Sequence, residues 1–466
     1  MEVRDPVHGF VDFNKDERSI IDHPAFQRLR HIRQLAMSDL VYPGAVHHRF
    51  EHSLGVCHVA GRIAPRLFPG KDKDAEDTIR DVRLAALLHD IGHGPFSHIS
   101  ETPLAEVNRE WLEENKVRED KLHECIGIDI IKHVLREDGL LTADQSKRVV
   151  GILDTVHKPG RSIERDIVSG PLDADKMDYL LRDSLCCGVK YGVFDLERLI
   201  RALVVVGKGS STFVGVEEED TPTVDQYVMA RYDMHLQVYG HKTRRATDLM
   251  LIRAIMEAVE AKDEQVVQAY TYVPDSSDFV NAYLRFTDRV LLDHLAESAS
   301  EAAQKLADCL ARRSLPSRVL HRPIGDLADA ELKEKLRDKQ KRREAEQMLQ
   351  AEVVRELAYL DADRVFVEVA DSKEVGKFPS LSEIDPEQIH VRSDSWSQPR
   401  TLAQESNFFR DYKFTPRTYI AVYAAQPQED RGTRQEFKCK ARDALNSILP
   451  FAEDAALPEE RNSDAK

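Results

Sequence analysis

The chain has little of what ties a protein to a membrane, a disulfide framework or a nucleic acid. Among its 466 residues no apolar run is long enough to span a bilayer. The opening decapeptide, MEVRDPVHGF, lacks the charged, apolar and small-residue layout of a signal peptide. Both absences lead us to expect a cytoplasmic protein with no membrane partner. Cysteine is sparse: six are scattered at 57, 125, 186, 187, 309 and 439. No CxxC pair occurs, which argues against a zinc ribbon and makes reduced thiols the default. Cys186 and Cys187 are adjacent and read as small apolar fillers. Positive charge is in deficit, with 66 Lys and Arg against 82 Asp and Glu, a net charge of −16. General adhesion to nucleic acid draws on phosphate contacts with Lys and Arg, so it is not expected. The basic run from Lys333 to Arg343 is interleaved with acids and has no aromatics for base stacking. It reads as a solvated helix face. A small anionic ligand stays open, because local field counts for more than total charge.

Helical periodicity is abundant, and the length allows a large core and more than one lobe. Residues 1–15 contain DPVHGFVDF, whose Val/Phe alternation predicts a short strand or hairpin. From Ile20 to about 260 the apolar spacing is mostly helical, beginning at Phe26, Leu29 and Ile32. Residues 204–206 and 212–216 flank Gly207-Lys208-Gly209 and predict a small hairpin between helices. Helices resume over 229–238 and 246–261. Residues 327–360 are charged and proline-free and predict one long helix. Residues 364–369, 388–391 and 418–423 look like strands of an α+β lobe, and helix returns over 437–448. The last nine residues have no large apolar side chain, and disorder is expected there. The expected class is mostly α: a helical core with the inserted hairpin over 1–320, a helix plus α+β lobe over 321–455, and a tail over 456–466.

His89-Asp90, read with His52 before it and Asp175 after it, carries the most chemical information. An imidazole nitrogen and an adjacent carboxylate can bind one divalent ion, and a distant His and Asp can complete the site. Leu84, Leu87, Leu88 and Ile91 place the pair at the end of a buried helix, which Gly92, Gly94 and Pro95 terminate. Charged groups there need partners, because an unpaired buried charge is costly. A satisfied core histidine beside a capping aspartate would meet that need as well. What tips the reading is the context: RFEHSLG over 49–55, HDIGHGPFSH over 89–98 and DADKMDYLLRD over 173–183.

Those three motifs, in that order, resemble the HD-domain metal phosphohydrolases, and within them most closely the deoxynucleoside triphosphate triphosphohydrolases, strongly over about residues 1–250. The resemblance implies a metal set of His52, His89, Asp90 and Asp175, holding iron, manganese, magnesium or zinc. It implies that His98 acts as general acid on the 5′-oxygen, with His93 and His123 around the attacking water, and it matches His123-Glu124 to the family's later His-Glu pair. Glu101 stands where relatives commonly carry Asp, a longer carboxylate for the same imidazole. Arg49, Lys176 and Arg231 are the expected counter-charges for a triphosphate. The resemblance also implies that Tyr179 packs on the sugar and Asp183 accepts from a 3′-hydroxyl. Gln34, Leu35, His235 and Tyr239 match further pocket positions; Gly240 replaces a larger amide side chain. Asp22, Gln27, Arg30, His241 and Lys242 match a site for an activating guanine nucleotide, with Glu2 and Gln237 departing from it. IDHPAFQRLR reads equally well as a capped amphipathic helix. Homo-dimers or homo-tetramers are implied by the resemblance alone. The activity so implied is metal-dependent hydrolysis of deoxynucleoside triphosphates to deoxynucleoside and tripolyphosphate, as part of deoxynucleotide catabolism. The alternatives are another HD phosphohydrolase (a nucleotide phosphodiesterase, (p)ppGpp hydrolase or nuclease) and a nucleotide-sensing interaction protein.

Overall fold

The computed structural model describes residues 1–157, 160–208, 211–357, 360–371, 388–410, 418–425 and 433–451; Gly209 of the expected hairpin turn and the tail 456–466 lie outside them. The described chain is mostly α-helical. It forms two compact units, Met1–Arg313 with Lys377–Phe414, and Ser314–Gly376 with Thr415–Lys466. Among the described residues no helix is long and apolar enough to cross a membrane.

The first unit opens with the antiparallel pair β1 (Glu2–Asp5) and β2 (Gly9–Asp12). Its turn is closed by Asp5, whose Oδ1 accepts from the amides of Val7 and His8 at 2.8 and 2.9 Å. The Arg49–Leu67 helix follows, started by the Glu51 side chain accepting from the His48 amide. Phe50, Leu54, Cys57, Ala60, Ile63 and Ala64 give it a buried face. That helix packs against the Lys73–Leu88 and Ala174–Cys187 helices. Asp72 caps the second and Asp173 the third, each accepting from an amide three residues on. Leu84, Leu87, Leu88 and Ile91 are buried as their spacing predicts, each contributing roughly 2 kcal/mol. Gly55 sits where the first and third of these helices meet. A Cβ there would lie 1.9 Å from Asp178 Oδ1 and 2.5 Å from Arg182 Nη2.

The IDHPAFQRLR segment folds as two short turns, Pro24–Gln27 and Arg28–His31, in place of one amphipathic helix. Asp22 ends the helix before it, and His23 caps Pro24. The expected insertion is present: β3 (Leu203–Lys208) and β4 (Ser211–Glu217) pair antiparallel. The strand at 388–391, read in the sequence as part of the C-terminal lobe, pairs elsewhere. It forms β7 (His390–Arg392), parallel to β4, and β8 (Arg400–Thr401) extends the sheet to the order β3-β4-β7-β8. Alternation marks a strand but not its partner.

The second unit is a three-stranded antiparallel sheet in the order β5 (Ser317–Pro323), β9 (Thr418–Ala424), β6 (Phe366–Asp371). Its core joins Val319, Leu320, Val367, Val369, Ile420 and Val422 of the sheet to Leu336, Leu349, Val353, Phe437 and Leu445 of helices. The single long helix expected over 327–360 is two, Ala330–Arg337 and Lys339–Glu356. Asp338 between them is extended (φ −75°, ψ 111°), and its carbonyl accepts from the amides of Lys341 and Arg342. The break buries Leu336 completely, a gain that outweighs one helical residue's propensity.

Candidate active site

Three helices bring the expected metal set together. His52 is on the first turn of the Arg49–Leu67 helix, His89 and Asp90 follow the Lys73–Leu88 helix, and Asp175 is on the first turn of the Ala174–Cys187 helix. One ligand atom from each of His52, His89 and Asp175 lies within 4.8 Å of the others. His52 Nε2 is 3.0 Å from Asp175 Oδ1, and His89 Nε2 is 3.6 Å from it. Asp90 closes the fourth side, with Oδ1 3.2 Å from His89 Nε2 and Oδ2 3.5 Å from His52 Nε2.

The outer hydrogen bonds fix which nitrogens face inward. His89 Nδ1 donates to the Ala86 carbonyl at 2.8 Å, and a carbonyl can only accept. His52 Nδ1 donates to Asp178 Oδ2 at 2.8 Å. Both imidazoles therefore turn Nε2 toward Asp90 and Asp175, and both Nε2 atoms are buried without a hydrogen bond. Two nitrogen lone pairs and two carboxylates converging on one another repel unless a cation lies among them. Acidity reports the same field. Burial lowers the His52 imidazole, but the carboxylates of Asp175 and Asp178 more than reverse this and lift it to about 10, so that in the absence of a metal ion a proton is drawn into the cluster. Burial likewise works against His89, and Asp90 and Asp175 raise it. Burial opposes the ionised Asp175, yet His52 and His89 hold its carboxyl well below the usual range. Mixed nitrogen and oxygen donors of this kind suit a divalent ion.

Behind His52 stands a buried network absent from the sequence reading. Asp178 accepts from His52, from His8 Nε2 at 2.7 Å, and from Arg182 Nε and Nη2 at 2.9 Å each. Arg182 Nη1 reaches Asp5 Oδ2 at 2.9 Å. The N-terminal hairpin, through Asp5 and His8, thus helps orient a metal ligand. The sequence held only a faint sign of this: Asp178 falls inside DADKMDYLLRD, and nothing marks His8.

A second cluster adjoins the first through His93, whose Nε2 is 3.3 Å from Asp90 Oδ1. The His93 and His123 rings stack at 4.1 Å, and His98 meets His93 edge-on at 4.9 Å. Glu101 binds the group together, with Oε1 2.8 Å from His98 Nδ1, 3.0 Å from His123 Nδ1 and 3.5 Å from His93 Nδ1. Burial opposes its charge, but His98 and His123 keep it ionised, well below the usual carboxylate range. The longer side chain thus performs the orienting task. His123 is lowered by burial and raised more strongly by Glu101. His93 is held well below its ordinary value by burial and by Arg49, so it is neutral at pH 7. Gly92 lets His123 come close: a Cβ there would lie 2.1 Å from the His123 carbonyl. Glu124 is the exception. It pairs with Lys121 at 2.5 Å and Thr155 at 2.5 Å, touching His123 through its charge alone.

Arg49 links the two clusters. Its Nη1 donates to Asp90 Oδ2 at 2.5 Å, its Nε donates to Ser97 Oγ at 2.8 Å, and its Nη2 is buried without a partner. Asp90 is accordingly held well below its usual range, burial being overcome by Arg49, His89 and His93. Lys176, expected as a phosphate counter-charge, is buried at the start of its own helix. Its ammonium donates to Asp173 Oδ2 at 2.6 Å and to the Gly170 carbonyl at 3.3 Å.

Of the expected sugar and base positions, Tyr179, Asp183, Arg231, His235 and Tyr239 lie together. Tyr179 lies with its ring 6.5 Å from that of His52 and 6.4 Å from that of Tyr239, and its hydroxyl accepts from Arg231 Nε at 3.1 Å. Asp183 Oδ2 accepts from the Tyr239 hydroxyl at 2.6 Å, and Oδ1 pairs with His47 Nε2 at 2.8 Å. A carboxylate offers about four lone-pair positions, so capacity remains for another donor. His47 escaped the sequence reading. Burial lowers it, but Asp183 and Cys186 lift it to about 9. His235 meets Tyr239 edge-on at 5.0 Å across a π-helical turn, His235–Tyr239. Gln34 and Leu35 are buried, and Gln34 Oε1 has no partner.

The residues matched to an activator site lie in two segments. Gln27 donates to the Ile21 carbonyl and accepts from Arg30 Nε at 2.8 Å, while Arg30 sits 3.5 Å over the Phe50 ring. Asp22 pairs with Arg18 at 3.3 Å. His241 caps the Lys242–Glu260 helix, accepting from the Thr243 amide, and Lys242 is that helix's first residue.

Fold and site together define an α-helical protein with a His/Asp centre of the divalent-metal type. Residues 49–183 match the family model for the HD domain, and residues 194–395 match that for the HD associated region. The chain belongs to the HD-domain family. It is 36% identical over 261 residues to an uncharacterised protein of Methanocaldococcus jannaschii, covering 56% of this chain and 50% of that one. It is 30% identical over 318 residues to deoxynucleoside triphosphate triphosphohydrolase SAMHD1 of Homo sapiens, covering 63% of this chain and 50% of that one. The chain spans about half the length of these relatives. A solved structure of a hypothetical protein from Aquifex aeolicus is similar over 96% of this chain and 99% of that one, with a TM-score of 0.67 and 26% identity.

Proposed function

We propose that the protein hydrolyses deoxynucleoside triphosphates to deoxynucleoside and tripolyphosphate. The observation that carries this reading is the inward convergence of His52 Nε2, His89 Nε2, Asp90 and Asp175 beside the unpartnered guanidinium nitrogen of Arg49. The name of the human relative supports the choice of substrate. A divalent ion held by His52, His89, Asp90 and Asp175 would supply activated water and polarise a phosphoryl oxygen.

The chain's own residues do the rest. Arg49 neutralises the phosphate, its Nη2 supplying a donor that no protein group uses. Arg231, fully buried, brings a second cation beside Tyr179. His98 gives a proton to the departing 5′-oxygen; its Nδ1 is engaged by Glu101, so the proton comes from Nε2. Neutral His93, with His123 stacked on it, borders the water's approach. Tyr179 stacks on the sugar and leaves no room for a 2′-hydroxyl, and Asp183, braced by His47 and Tyr239, accepts from the 3′-hydroxyl.

The test is product chromatography after incubating the purified protein with each deoxy- and ribonucleoside triphosphate, singly and in pairs, with Fe²⁺, Mn²⁺, Mg²⁺ or Zn²⁺. Tripolyphosphate plus nucleoside, lost on chelation, is expected. Pyrophosphate or nucleoside monophosphate would replace this reading with another phosphohydrolase of the family. Inertness under every combination would leave a nucleotide-sensing role.

A further inference from the structure

His98 owes its position to a strained turn. Phe96 and Ser97, the two residues before it, both have φ of +57°. Neither is glycine, so this left-handed backbone must be held from outside. Ser97 stands at the N-cap of the His98–Val107 helix yet makes no capping hydrogen bond. Its hydroxyl instead donates to the Arg33 carbonyl at 2.6 Å and accepts from Arg49 Nε at 2.8 Å.

The outside support comes from a residue far along the chain, in the HD associated region. Asp288, the first residue of the Asp288–Ala296 helix, is buried. Its Oδ1 accepts from the Phe96 amide at 2.6 Å, and its Oδ2 accepts from the Arg33 amide at 2.9 Å. A closed ring results: Asp288 to Phe96, Ser97 to the Arg33 carbonyl, and the Arg33 amide back to Asp288. The ring fixes the turn before His98 to the segment that leads into Gln34. The same stretch grips the loop once more, since Arg28 donates from Nε to the Phe286 carbonyl and from Nη1 to the His93 carbonyl, each at 2.9 Å. Helix-starting carboxylates ordinarily serve their own helix. Here Thr287 does the capping, accepting from the Val290 amide, and Asp288 is turned to other segments.

We propose that Asp288 is a positioning residue for the proton-donating His98, acting through the Phe96–Ser97 turn. The inference rests on the acid role given to His98 above. Burial pushes the Asp288 carboxyl up to about 6, opposed by the two amides, so it is ionised at neutral pH and can accept through both oxygens.

Proton donation matters for an alkoxide leaving group and little for p-nitrophenolate, which departs unaided. The experiment compares wild type, Asp288→Ala, Asp288→Asn, His98→Ala and Leu291→Ala on deoxynucleoside triphosphates and on bis(p-nitrophenyl) phosphate. Leu291 is buried on the same helix and reports simple destabilisation. Misplacing a catalytic group by about 1 Å can cost about 100-fold, and that loss in kcat, with KM little changed, is expected for Asp288→Ala on the triphosphate. Its loss on the p-nitrophenyl ester should be much smaller than on the triphosphate, and His98→Ala should discriminate between the two substrates in the same way. Asp288→Asn, which keeps one acceptor, should recover part of the loss. Equal losses on both substrates, or none on either, overturn the proposal. A second readout needs no substrate: modification of His98 by diethyl pyrocarbonate, followed by peptide mass spectrometry. The rate should change in Asp288→Ala and not in Leu291→Ala; an unchanged rate in Asp288→Ala also overturns it. A wild type that leaves every triphosphate intact refutes the substrate reading alone, and the modification rate then decides the role of Asp288.

Discussion

Replacing Asp178 by asparagine removes one charge and little volume from the centre of the buried network behind His52. Four hydrogen bonds meet there, one each from His52 and His8 and two from Arg182. With the charge gone, Arg182 keeps only Asp5 as an ionic partner among the described residues. Breaking a buried pair from one side costs about 3–5 kcal/mol, since the remaining charge is left uncompensated. A domain's total stability is about 5–15 kcal/mol, so the loss is a large share of it. The second consequence is local. The Asp178 carboxylate can only accept, so it holds a proton on His52 Nδ1 and reserves Nε2 as the nitrogen that a metal ion can take. An amide can donate instead, and the proton can then move to Nε2, the atom that faces Asp175. Partners behind a metal-bound imidazole are worth about 10–100-fold in metal affinity. Urea denaturation of the metal-free protein measures the first effect, and competition with a chelating dye for Mn²⁺ measures the second. Asp5→Asn is the comparison, because it weakens Arg182 without touching the His52–Asp178 bond; it should lose stability and lose less metal affinity than Asp178→Asn. Asp178→Asn within about 1 kcal/mol of wild type, with unchanged Mn²⁺ affinity, would refute the reasoning.

Two further outcomes are expected. Glu101→Gln should lower kcat by about 100-fold or more, the usual worth of acid–base catalysis, because His98 and His123 lose their shared carboxylate; metal content measured by atomic absorption should be unchanged, and a fall in it would shift the role of Glu101 to the metal centre. His47 predicts a pH dependence of stability. Its folded value of about 9 lies above the ordinary 6.5, so its pairing with Asp183 stabilises fully below pH 6.5 and fades as pH rises through 9. Comparing urea midpoints of wild type and His47→Gln at the two ends, the advantage of wild type should shrink by up to about 3 kcal/mol. An advantage that is the same at both ends would show that His47 is neutral in the folded protein.

The site was legible in the sequence to the extent that its residues are local in the chain or fixed by helical period. Leu84, Leu87 and Leu88 announced a buried helix, and the polar pair at its end could be there only with partners. RFEHSLG and DADKMDYLLRD pointed to His52 and Asp175 through the resemblance they carry; each begins a helix, and the fold brings the two first turns together. Periodicity also gave the β3–β4 hairpin. It failed where a choice was non-local. The 388–391 strand has the right alternation but no mark that says β4 is its neighbour. The charged stretch 327–360 has uniform helix propensity, and only the burial of Leu336 breaks it at Asp338. Lys176 and Glu124 have the right residue type for the site, yet nearby Asp173 and Lys121 satisfy them first.

By itself the sequence determined the donor chemistry: which imidazoles and carboxylates exist, and that helices would carry them, since side-chain identity and 3.6-residue spacing are properties of short segments. Tertiary structure alone decided orientation. Which nitrogen of His52 faces inward depends on Asp178, brought within 2.8 Å by the crossing at Gly55. How His98 is held depends on Asp288, 190 residues downstream. Hydrogen bonds are short-ranged and directional, so partners remote in the chain enter only once folding has brought them to within about 3 Å.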